Sequence, residues 1–68
     1  MKFNATVSIQ KEDDWYIAKC LEIGVASQGI SIDESLKNLK EALLLYFEDN
    51  TDIPNIKQMF ITTMEIAV

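Results

Sequence analysis

The apolar residues of this chain change their spacing once, around Gly29-Ile30-Ser31, and that change limits the fold more than any other feature. Before it, Phe3, Ala5, Val7 and Ile9 alternate with Lys2, Asn4, Thr6, Ser8 and Gln10. A period of two gives a strand with one buried and one wet face. After it, Ile32, Leu36, Leu39, Leu43, Tyr46 and Phe47 recur every three or four residues, the stripe of an amphipathic helix. Strands therefore come first, and a helix then crosses them.

The punctuation between these segments sets their order. Residues 2–10 form the first strand, and the charged "KEDD" of Lys11–Asp14 is a connection of hairpin length. Trp15–Leu21 forms a second strand, Gly24 permits a tight turn, and Val25–Gln28 forms a short third strand. Ser31 is placed to cap a helix, with Glu34 three residues on completing a capping box. Asp33 and Glu34 also suit the positive end of the helix dipole. Asn50 is the expected C-cap, and Pro54 cannot continue the helix. Lys57–Val68, with Phe60, Met64, Ile66 and Val68 prominent, reads as a closing strand. The expected architecture is α+β, in the order β-β-β-α-β: an antiparallel sheet with one helix packed on one face, forming a single domain over residues 1–68.

A chain of 68 residues buries only about 60% of the surface its unfolded form exposes, so its own core is marginal. The usual staples for such a domain are disulfides or metals. With one cysteine, Cys20, and no histidine, an intramolecular disulfide is impossible. Oligomerisation or a larger partner is the remaining stabiliser. The start "MKFNATVSI" lacks the apolar core of a signal peptide, and the longest apolar run, "ALLLYF", has six residues against the roughly 20 of a membrane span. A soluble, cytoplasmic protein is expected. Its net charge of −5 opposes direct nucleic-acid binding, which depends on cationic side chains.

Catalytic motifs fare poorly. Gly24 and Gly29, with four residues between them and followed by Ser31, resemble a P-loop, but Ile30 stands where the phosphate-binding lysine belongs. The glycines are better read as turn and close-packing residues. The carboxylates fall on turns and helix exterior, where a two-metal nuclease would need them converging on one point. Without histidine, a serine or cysteine nucleophile lacks its usual base; Ser27 and Cys20 read as ordinary sheet residues. No enzyme, cofactor or metal site is expected. Leu44 and Leu45, however, lie well off the core stripe at about 100° per residue, which marks a second contact surface.

The stretch "DDWYIAKCLEIGVASQGISIDESLKNLKEALLLYFED" closely resembles the HicB-type antitoxins. In that family a "D-G-Y/W-x-V-A" strand leads to "C-P-E-L", then "G-x-x-S-Q-G", then a capped "T-x-E-E-A-L-x-N-L-K-E-A" helix. The matching positions are Trp15, Ile17, Ala18, Cys20, Glu22, Gly24, Ser27, Gln28 and Gly29, then Ser31, Glu34, Leu36, Asn38, Leu39, Lys40, Glu41 and Ala42. Leu21 departs from the usual proline. The chain also ends where many members add a helix-turn-helix or ribbon-helix-helix domain, so operator binding is not carried over.

The resemblance implies a partial ribonuclease-H-like fold without nuclease activity. It also implies a partner: a HicA-like toxin, small and basic, that cleaves messenger RNA and whose active site the antitoxin covers. Carboxylates suit such a partner because they take the place of phosphates against lysine and arginine. The candidate toxin-facing residues are Glu12, Asp13, Asp14 and Glu22. Leu44 and Leu45 are the candidates for a homo-oligomer contact, a dimer in the first instance. The competing expectation is an orphan oligomeric scaffold without a toxin.

Overall fold

The computed structural model describes residues 2–50 and 58–68. Three strands, β1 (Val7–Glu12), β2 (Trp15–Cys20) and β3 (Ala26–Gly29), precede one helix, α1 (Ile32–Asp49). The strands form an antiparallel sheet in the order β1-β2-β3. Helix α1 packs against β2 and β3. It is not long and apolar enough to cross a membrane.

Each connection follows from its residues. Glu12 pairs with Trp15, so the hairpin turn is only Asp13-Asp14, half the length the four-residue charged run suggested. Asp13 adopts φ +52°, a left-handed conformation that aspartate tolerates better than most residues. Between β2 and β3, Gly24 sits at φ +85° and donates its N–H to the Cys20 carbonyl at 2.7 Å. The expected turn glycine is therefore present.

The helix start is as the sequence dictates. Ser31 is the N-cap, and its hydroxyl accepts the Glu34 N–H at 3.1 Å. At the other end Asn50 caps the helix, its backbone N–H and side-chain amide both donating to the Tyr46 carbonyl. Pro54 lies outside the described residues.

The core is small. Among the described residues, Ala18, Cys20 and Leu39 are buried and apolar, with Phe3, Ala5, Val7, Ile23, Val25 and Leu43 packed around them. Ser35 is fully buried as well, its hydroxyl donating to the Ile32 carbonyl at 2.7 Å. The expected stripe began at Ile32 and Leu36, yet both are exposed and Ser35 takes the central place. The reason is close approach. A Cβ on Gly29 would lie 2.6 Å from the Ser35 backbone nitrogen, so the first helical turn rides directly on the end of β3. Only a small residue fits there.

Two further expectations need correction. The first strand was expected over residues 2–10, but ladder pairing begins at Val7; residues 2–6 follow the sheet without forming the regular ladder. More consequentially, the closing strand is not formed over residues 58–68, and Lys57 lies outside the described residues. Residues 58–68 carry no strand or helix and are all exposed. A strand exists only by pairing, and here the segment has no ladder partner. Among the described residues the architecture is three strands and one helix, α+β.

Candidate functional site: two contact surfaces

One surface is built at the β1–β2 turn. Glu12, Asp13 and Asp14 are exposed there, and Trp15 follows them 44% exposed. Register fixes the indole's side of the sheet. Ala18 and Cys20 are buried under the helix, so alternation sends Trp15 and Ile17 to the helix-free face. Three acidic residues thus precede a half-exposed indole, and Glu12 is its cross-strand partner. Tryptophan is among the commonest energetic anchors of protein interfaces, and carboxylates beside such an anchor are complementary to cationic surfaces in general. The acids were expected at this surface from the sequence; Trp15 was not. Its signal was available: a large aromatic directly after an acidic turn.

Glu22 does not join them. It lies at the opposite end of β2, roughly 20 Å away at strand rise. Its carboxylate accepts the Thr6 N–H at 2.8 and 3.0 Å, together with the Thr6 hydroxyl. The Cys20 thiol adds a weak 3.5 Å contact. The Thr6 hydroxyl, then its N–H, hold the Glu22 carboxyl below its ordinary range. Burial pushes the Cys20 thiol upward, the opposite of an activated nucleophile. Glu22 is thus a latch that ties the N-terminal segment to the β2–β3 turn.

That latch shapes the second surface. Between the N-terminal segment and α1 runs an open groove of about 560 Å³. Phe3, Ala5 and Val7 form one wall; Leu36, Leu39, Leu43, Leu44 and Phe47 form the other. Among the described residues, Lys40 and Asn50 supply its polar side chains. Phe3 and Phe47 meet edge to face across it, ring centroids 5.1 Å apart. Leu44, expected as a contact residue, is 58% exposed on this wall. Leu45 is equally exposed but lies about 100° further round the helix and does not line the groove.

The groove runs beside an unpaired sheet edge. Leu21 N–H donates to the Thr6 carbonyl at 2.9 Å, which places Thr6 in the set of β1-side residues bonded toward β2. Antiparallel alternation puts Ser8, Gln10 and Glu12 in that set too. The backbone groups of Val7, Ile9 and Lys11 therefore point outward, with no strand beside them among the described residues.

Among the described residues, no three histidine, cysteine or acidic side chains gather closely enough to share a metal ion. A protein-family model described as a family of unknown function (DUF7387) matches residues 2–66. No curated protein matches the chain significantly, and no solved structure does.

Proposed function

We propose that this chain, which belongs to the DUF7387 family, is a protein-binding module acting as an antitoxin of the HicB-like kind, in a partial ribonuclease-H-like fold. It sequesters a small basic HicA-like toxin in the cytoplasm by covering the toxin's RNA-cleaving site, and does no chemistry itself. The observation that carries the reading is the acidic turn beside Trp15. An indole half out of water contributes apolar contact area, and the carboxylates of Glu12, Asp13 and Asp14 compete with RNA phosphate for the toxin's cations. The net charge of −5 adds long-range attraction to a basic partner. The sequence resemblance supplies the identity of that partner.

The test is an RNA-cleavage assay with a HicA-type toxin, with and without this protein. Stoichiometric protection is expected, weakened in Trp15→Ala and in Asp13→Lys/Asp14→Lys, and weaker at high salt because exposed charges are screened. No association at low salt overturns the reading. RNA cleavage by this protein alone with Mg²⁺, abolished by one carboxylate change, overturns the non-enzymatic part. The alternative, an orphan scaffold that only self-assembles, is favoured by the open groove. A short basic, histidine-containing reading frame beside this one favours the antitoxin.

A further inference from the structure

We propose that the groove beside β1 is filled by residues 58–68 of a second copy of this chain, added as an edge strand, so that the protein is a reciprocal strand-exchanged dimer. The proposal concerns a different surface from the toxin reading and does not depend on it.

The segment matches the groove in chemistry. In "QMFITTMEIAV", Phe60, Met64, Ile66 and Val68 fall at even positions with Thr62 among them. As a strand it presents those four apolar side chains to one face. The opposite face carries Met59, Ile61, Thr63, Glu65 and Ala67, so it is mixed, with the segment's one side-chain charge on it. β-Branched and aromatic residues dominate, as strands require. Phe60 is 85% exposed and Met64 80% exposed in the single chain. That is an apolar strand-former left in water. Across from it stand the outward N–H and C=O groups of Val7, Ile9 and Lys11 and an apolar wall ending in Leu44. One occupant satisfies both the edge and the wall, by β-augmentation.

Area allows a second copy, and the segment's own charge does not oppose it. Two chains of net charge −5 repel, but the inserted segment carries one side-chain charge, Glu65, and it faces away from the groove. A compact monomer of 7.7 kDa exposes roughly 4,300 Å² by the size-scaling rule. This chain exposes 5881 Å². The excess, roughly 1,500 Å² per chain and so about 3,000 Å² for a pair, falls in the range that obligate homodimers bury. Reciprocal exchange removes it from both chains at once and closes the assembly on a two-fold axis, leaving no groove to propagate a fibre.

Sedimentation equilibrium of the intact chain tests the stoichiometry. Nuclear Overhauser contacts in a mixture of isotope-labelled and unlabelled chains test who occupies the groove. A dimer with contacts between Met64 or Ile66 of one copy and Leu44 or Phe3 of the other is expected. Ile66→Asp and the surface change Leu44→Asp should each weaken dimerisation by tenfold or more, roughly the cost of setting a carboxylate in an apolar groove. Far-UV circular dichroism of Leu44→Asp should keep the helix, since this exposed position lies outside the core. A monomer overturns the proposal, including one whose own segment contacts its own Leu44. So does a dimer in which residues 58–68 stay free, or one that Leu44→Asp leaves unchanged.

Discussion

The two edges of the sheet are treated in opposite ways. At β3 the helix sits on the strand: Gly29 admits the Ser35 backbone, and the Asn38 amide donates to the Gln28 carbonyl at 2.9 Å. That carbonyl belongs to the outward-facing set, so Asn38 covers a group the edge would otherwise expose. At β1 nothing comparable exists among the described residues. The helix stands off, and leucine and phenylalanine side chains line the gap. An uncovered edge invites another strand. The comparison teaches that this small domain is closed where a side chain and a glycine allow contact, and open where it has apolar surface to offer.

The largest effect should come from the core that both edges share. Leu39→Ala removes its largest buried side chain and should cost about 3 kcal/mol, much of the stability a domain this size has. Leu45→Ala, outside the groove, should stay within about 0.5 kcal/mol. Urea titration of the two variants side by side checks the contrast.

Breaking the closed edge comes next. Gly29→Ala drives a methyl into the Ser35 backbone, which cannot swing aside, and should destabilise by about 2 kcal/mol. Asn38→Ala leaves the helix seated but uncovers the Gln28 carbonyl; about 1 kcal/mol is expected. Faster hydrogen exchange at the β3 end, with the β1 edge unaffected, would show the loss is local.

The smallest effect concerns the open side and depends on acid. The Glu22 carboxyl titrates below its ordinary value of about 4.3 because Thr6 stabilises the charged form. Its contribution is fully present above that ordinary value and is lost as pH falls through the depressed folded value. Glu22→Gln should therefore show a shallower fall in urea midpoint between about pH 5 and pH 3 than the parent. If both fall alike, the latch on Thr6 contributes nothing.

Much of this was legible because it is local. Ser31 as cap, Gly24 in the turn, Gly29 at the strand-to-helix passage, Asn50 at the helix end and Leu44 off the buried stripe all follow from rules spanning a few residues. Ser35 was not legible. A serine within a leucine stripe reads as solvent-facing until Gly29, six residues earlier, is known to press against it. Glu22 was misplaced for the same reason: its partner Thr6 is 16 residues away, and nothing short-range distinguishes an acid bonded to backbone from one awaiting a lysine.

The sequence by itself determined the order of strand and helix, their caps and turns, and the acidic character, since periodicity and local hydrogen bonding act within a turn or two of the chain. Only the tertiary structure decided which edge is closed, which acids stand together, and that residues 58–68 carry no ladder. Those outcomes depend on contacts between distant segments, and a strand-forming segment such as "FITTMEIAV" becomes a strand only when another edge accepts its hydrogen bonds.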